Sequence, residues 1–129
     1  MKTITIEWQR LVSDGQTCDR CASTGSSTKE AFEKLKRCLK EAGIDVSLRT
    51  HSLDRSTFEA APLESNRIRI DGRTIEQWLD GITGQSQCCG PCGDTECRTT
   101  TVDGKTYEAV PEELILRAGL LAAAETLRQ

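Results

Sequence analysis

Apolar and polar residues alternate from Thr3 to Val12, where Ile4, Ile6, Trp8 and Val12 stand mostly two positions apart. A two-residue period places those side chains on one face of a β-strand. The stretch Ala22-Ser-Thr-Gly-Ser-Ser that follows is polar and loop-like. Ser27-Thr-Lys-Glu30 then has the spacing of a capping box, and Phe32, Leu35, Leu39 and Ala42 form the apolar stripe of a helix that Gly43 stops. Ile44 to Leu53 returns to alternation, a second strand. Asp54 opens a helical turn through Phe58 that Pro62 ends. Asn66 to Ile70 predicts a third strand, Asp71-Gly72 a turn, and Thr74 to Leu79 a short helix containing Trp78.

Past Gly81 the residues are Gly, Ser, Gln and Cys, and the pattern predicts a cysteine-rich loop over about 82–98, ordered by metal or disulfides in place of apolar burial. Arg98 to Val102 and Lys105 to Val110 flank Asp103-Gly104, a pair suited to a type I′ hairpin turn. Pro111 fits the first helical position, with Leu114, Ile115, Ala118, Leu121 and Ala122 as the core face of a C-terminal helix. No repeat or linker interrupts the 129 residues, which read as one domain, 1–129.

Charge removes one class of partner. With 17 Lys+Arg against 20 Asp+Glu, the net charge of -3 leaves no basic field for a phosphate backbone, so nucleic acid is not an expected partner. The N-terminal alternation lacks an unbroken apolar run, and Arg117 interrupts the apolar tract near the C-terminus, so no membrane partner is expected and the chain reads as cytoplasmic. In a reducing compartment, clustered cysteines point to metal or catalysis before scaffolding, and seven cysteines cannot all pair within one chain.

Six of those seven fall in two groups, Cys18-Asp-Arg-Cys21 and Cys88-Cys89-Gly-Pro-Cys92-Gly-Asp-Thr-Glu-Cys97. Two intervening residues let Cys18 and Cys21 meet as a dithiol/disulfide pair, with Cys18 attacking and Cys21 resolving; the same spacing also serves as half of a metal knuckle. In the second group, Cys88 and Cys89 are poor partners for each other, because adjacent α-carbons lie about 3.8 Å apart, below the usual disulfide range. Gly90, Pro91 and Gly93 allow tight turns that gather Cys88, Cys89, Cys92 and Cys97 on one centre. Asp94 and Glu96 oppose thiolates in a metal-free loop, whereas a bound cation offsets that repulsion. Such a quartet suits zinc or another thiophilic metal, and three of its members suit arsenic(III) or mercury(II); local disulfides are the plainer alternative. Cys38, beside Leu35 and Leu39, reads as a small buried hydrophobe, His51 as a surface residue, and Trp8 and Trp78 as packing.

Strand, Cys-x-x-Cys, helix, strand, then a later hairpin and terminal helix resembles the thioredoxin-like fold: α/β, a central mixed sheet with flanking helices, and a Cys-rich loop inserted before the C-terminal hairpin and helix. More narrowly, Pro62-Leu-Glu-Ser-Asn-Arg-Ile68, Asp71-Gly-Arg73, Glu76-x-Trp78, Gly84-Gln-Ser86 and Cys88-Cys89-x-x-Cys92-Gly-Asp-x-x-Cys97-Arg98 resemble an uncharacterised family of small cysteine-rich microbial proteins. Some members are encoded near heavy-metal resistance genes. The resemblance implies a thiol-based protein that binds or reduces a soft metal or metalloid of the arsenic or mercury class, or passes electrons to a redox partner protein as a thiol-disulfide oxidoreductase. The alternative is a non-catalytic, zinc-stabilised protein-interaction domain. Two features depart from the thioredoxin pattern: the best cap, Ser27, lies six positions beyond Cys21, and Asn66 stands where a proline precedes the third strand.

Overall fold

The computed structural model describes residues 2–12, 15, 18–87 and 96–129. Strand β1 (Lys2–Leu11) runs parallel to β2 (Ile44–Leu53) over ten paired positions, Lys2↔Ile44 to Leu11↔Leu53. Helix α1 (Asp19–Lys40) makes the crossover between them. On the other side of β1, β3 (Arg67–Ile70) pairs antiparallel, and β4 (Arg73–Thr74) pairs antiparallel with β3. The result is a mixed four-stranded sheet in the order β2-β1-β3-β4. Both expected Asp-Gly turns form with positive φ at each residue, 49° and 83° at Asp71-Gly72 and 54° and 79° at Asp103-Gly104, as type I′ hairpins require.

Ile4, Ile6, Trp8, Val46, Ile68 and Ile70 are buried on one face of this sheet. Helix α1 and helix α4 (Glu112–Leu127) lie side by side against that face, with Gly119 of α4 close over Leu35 of α1. The opposite face carries Thr5, Glu7 and Gln9 and is partly exposed, with Arg69 and Arg67 paired across from Glu7 and Gln9. Burial, then the neighbouring Arg69 and Arg98 cations, push Arg67 below the ordinary arginine value, and Glu7 offsets part of that effect. Helix α2 (Arg55–Ala60), capped by the Asp54 side chain on the Thr57 N–H, and a 3₁₀ turn (Pro62–Glu64) connect β2 to β3. Helix α3 (Ile75–Trp78) follows β4, capped by a Thr74/Gln77 box.

Between α3 and α4 lies a second antiparallel sheet of β5 (Ile82–Gln87), β6 (Glu96–Val102) and β7 (Lys105–Tyr107). The loop expected over 82–98 is therefore strand at both ends. β5 is an exposed edge strand with alternating exposure and no apolar face, which is why its sequence carries no strand signal. A buried ion pair ties β6 to α3. The Arg98 guanidinium, 6% exposed, donates to both carboxylate oxygens of Glu76 at 3.2 and 2.9 Å, and also to the Leu63 carbonyl at 2.7 Å and Thr83 Oγ1 at 3.2 Å. Thr100 Oγ1 donates to the same carboxylate at 2.7 Å.

Helix α1 also differs from expectation at its start: it begins at Asp19, eight residues before Ser27. The polar run Ala22-Ser-Thr-Gly-Ser-Ser is the closely packed beginning of the helix. Its hydroxyls are used inside the fold, since Thr28 Oγ1 donates to the Thr24 carbonyl at 2.7 Å and Thr24 Oγ1 accepts the Val110 N–H at 3.0 Å. Two smaller corrections concern single residues. Leu121 is 46% exposed, on the outer side of α4, and Pro111 caps α4 instead of opening it. Among the described residues no helix is long and apolar enough to cross a membrane.

Candidate functional site

Because α1 starts early, the first cysteine pair straddles its first turn. Cys18 is the N-cap residue, with φ -75° and ψ 162°, and its carbonyl accepts the first helical hydrogen bond, from Ala22 N–H at 2.9 Å. Cys21 lies in the turn that follows. The first four N–H groups of a helix point outward unpaired and carry the positive end of its dipole, so a sulfur held there is stabilised as thiolate. The expected six-residue gap between a cap at Ser27 and Cys21 does not exist. Both residues are buried, Cys18 at 5% exposure and Cys21 fully, so Cys18 is the slightly more accessible residue of the pair.

Ser65 faces the sulfur of Cys21. The 3₁₀ turn ends at Glu64, and Asn66 takes a left-handed conformation, φ 62°, that asparagine tolerates better than most residues. This turn brings the fully buried Ser65 hydroxyl to 3.6 Å from Cys21 Sγ, while the Leu11 N–H at the end of β1 donates to the same hydroxyl oxygen at 2.8 Å. The Asn66 amide nitrogen donates to the Glu108 carbonyl at 3.0 Å.

Arg20, inside the Cys-x-x-Cys sequence, connects this site to the second sheet. Its guanidinium donates to the carbonyls of Ser86 at 3.2 Å, Gln87 at 3.1 Å, Arg98 at 3.0 Å and Glu108 at 3.3 Å. All four acceptors are neutral carbonyls, so no carboxylate cancels the charge in these bonds. The end of β5 and the start of β6, paired as Ser86↔Cys97 and Gln87↔Glu96, are thereby fastened to the start of α1. Cys97 is buried at this junction, 1% exposed. Its three expected companions, Cys88, Cys89 and Cys92, lie outside the described residues, and so does the quartet as a metal centre. Among the described residues no group of three or more His, Cys, Asp or Glu side chains is placed to hold a metal ion.

Arg20→Ala should loosen this junction. Removing the four bonds is expected to cost about 1–3 kcal/mol and to raise amide hydrogen exchange selectively at Ser86, Gln87 and the first residues of β6; unchanged exchange there would show that Arg20 holds nothing.

Sequence reasoning missed Ser65, whose role depends on a turn 44 residues from Cys21, and the pairing of Glu76 with Arg98. The cation within Cys18-Asp-Arg-Cys21 was the available hint of the role of Arg20. The expectation of a buried Cys38 is overturned, since it is exposed on the side of α1 away from Leu35 and Leu39, whereas His51 is a surface residue as expected, its Nε2 3.2 Å from Glu7.

Comparison with known proteins adds kinship. A family model described as a domain of unknown function, DUF2703, matches residues 4–119. A relative named only as an uncharacterized protein, from Archaeoglobus fulgidus, is 38% identical over 112 residues, covering 87% of this chain and 82% of its own length. No solved structure matches the chain. The span of the family match and the extent of that identity lead to one conclusion: the chain belongs to the DUF2703 family.

Proposed function

We propose that the chain is a thioredoxin-like dithiol protein of a reducing, cytoplasmic setting, in which Cys18 attacks and Cys21 resolves. The observation that carries this reading is the placement of Cys18 at the N-cap of a 22-residue helix with Cys21 in its first turn. The positive end of the helix dipole at this position favours the Cys18 thiolate. The order β2-β1-β3-β4, with β1 and β2 parallel and β3 reversed, and the sequence β-α-β-α-β-β-α ahead of and around the inserted second sheet, support the thioredoxin-like description.

A second reading concerns soft metals. Arg20, within the first cysteine motif, bonds the carbonyls of Gln87 and Arg98, which border the second cysteine group in sequence. In this reading the cysteine thiolates hold a thiophilic ion such as arsenic(III), mercury(II) or zinc, which soft thiolate sets select. A zinc ion that only fixes this segment for a protein partner is the non-catalytic form of the same idea.

The test is chemical. Iodoacetamide alkylation of Cys18, followed by peptide mapping across pH, should reach half-rate clearly below the ordinary thiol value of about 8.5, and the reduced chain equilibrated in graded thiol/disulfide buffers should show a reversible Cys18–Cys21 disulfide that Cys18→Ser removes. A Cys18 midpoint at or above the ordinary value, with no such disulfide in any buffer, would end the dithiol reading. Tight zinc retention after anaerobic purification, without a redox couple, would support the interaction-domain alternative.

A further inference from the structure

Ser65 is fully buried, and among the described residues its hydroxyl has two hydrogen-bonding contacts. One is the Leu11 N–H, which donates to Ser65 Oγ at 2.8 Å and so uses a lone pair. The other is Cys21 Sγ at 3.6 Å, within hydrogen-bonding range for sulfur. A backbone N–H cannot take the hydroxyl proton, so the sulfur is the one acceptor for it among these contacts. Burial without such a donor would oppose ionisation of Cys21.

From this geometry we infer that Ser65 donates a hydrogen bond to Cys21 Sγ and holds it ready to act as thiolate in the resolving step. The inference rests on the dithiol reading above. After Cys18 has attacked a disulfide R–S–S–R and released one R–S⁻, the chain carries a Cys18–S–S–R mixed disulfide. The Cys21 thiolate then attacks Cys18 Sγ. The Cys18–Cys21 bond forms, the bond to R breaks, and the second R–S⁻ leaves and takes up the proton that Cys21 gave up. Two electrons pass from the cysteine pair to the substrate disulfide, and nothing else is consumed. Ser65 moves no proton in this exchange; its bond strengthens as negative charge collects on Cys21 Sγ. The ionisable groups on the surrounding segments are engaged elsewhere or lie outside: Asp19 is exposed, Arg20 is spread over four carbonyls, Glu64 is held by Arg67 and Gln9, Glu108 meets Ser86, and Arg98 is bound to Glu76.

The experiment uses the full, reduced chain and 5,5′-dithiobis(2-nitrobenzoate) as the substrate disulfide, with acid quenching and peptide mapping of the Cys18 adduct. In the unaltered chain the adduct should be short-lived and give way to the Cys18–Cys21 disulfide. In Ser65→Ala its lifetime at pH 7 should lengthen about tenfold, as a rise of about one unit in the ionisation midpoint of the Cys21 thiol requires. The difference should vanish at a pH high enough to ionise Cys21 in both forms. Ser65→Thr, which keeps the hydroxyl, should stay within about threefold of the parent. Equal lifetimes at pH 7, a delay in Ser65→Ala that is the same at every pH, or a Thr variant as slow as the Ala variant would each overturn the role of Ser65. Failure of the unaltered chain to form the Cys18–Cys21 disulfide would instead overturn the dithiol reading on which this depends.

Discussion

Replacing Arg98 with Ala should destabilise the protein by about 3–5 kcal/mol, because it leaves a buried carboxylate without its cation. Glu76 is 5% exposed, and its two oxygens are bound by Arg98 at 2.9 and 3.2 Å and by Thr100 at 2.7 Å. Without the guanidinium, one hydroxyl bond would remain to compensate the charge. Arg98 also bonds the Leu63 carbonyl and Thr83, so its loss also removes a tie between β6 and the 3₁₀ turn and one side-chain bond to β5. The pair itself is a different matter. Two buried charges lose their hydration, and a well-packed apolar pair can match them in stability. Glu76→Leu combined with Arg98→Met is therefore expected to cost far less than the sum of the two single changes. Urea denaturation of the two single variants and the double variant, with slopes compared to confirm a common unfolded state, measures this directly. Additive losses would show that the two side chains act independently.

Gly25→Ala should also destabilise, against the trend that alanine favours a helix by about 1 kcal/mol over glycine. A β-carbon at Gly25 would stand 2.5 Å from Trp8 Cη2 and 2.9 Å from Cζ2. Those atoms belong to a rigid indole on the central strand, buried between sheet and helix, and overpacking of this kind costs about 1–3 kcal/mol or more. Steric conflict wins over helix propensity, with α1 pushed off β1 and the Cys18 end of the helix displaced with it. Trp8→Phe, which shortens the ring, should reverse the sign: in that background Gly25→Ala is expected to be neutral or stabilising. Thermal unfolding of the four combinations tests this, and a destabilisation that is independent of the ring at position 8 would contradict the close approach.

The same contact explains what the sequence did and did not reveal. Where apolar residues mark a face, the reading is sound: Ile44 to Leu53 is a strand over that whole span, and the two Asp-Gly pairs make the turns that their backbone freedom implies. The beginning of α1 is built on a different principle. Cys21, Thr24, Gly25, Thr28, Ala31, Leu35 and Leu39 form one continuous helical stripe, but its first half is made of small and hydroxyl residues chosen for closeness to Trp8 and to Val110. Measured by hydrophobicity, that half is a loop; measured by spacing, it is a helix. The placement of the first cysteine pair depends on this distinction, and so the most informative feature of the candidate site was hidden by a scale that weighs oil and water alone. β5 was missed for a related reason, since an exposed edge strand has no apolar face to reveal. Partners such as Ser65 for Cys21 and Glu76 for Arg98 come from tertiary geometry, which no local pattern encodes.

Cys38 gives the molecule a feature that laboratory handling will meet first. It is an unbridged, solvent-facing sulfur on the same helix as Cys18, twenty residues further along, which at 1.5 Å per residue is about 30 Å from the helix start. In air it is placed to couple two copies tail to tail without engaging the Cys18 end of either, so a covalent dimer joined through Cys38 carries no information about the chemistry at that end. The same remoteness makes it a convenient anchor: a dye attached there would sit a ruler's length from the first cysteine pair and report on it from outside.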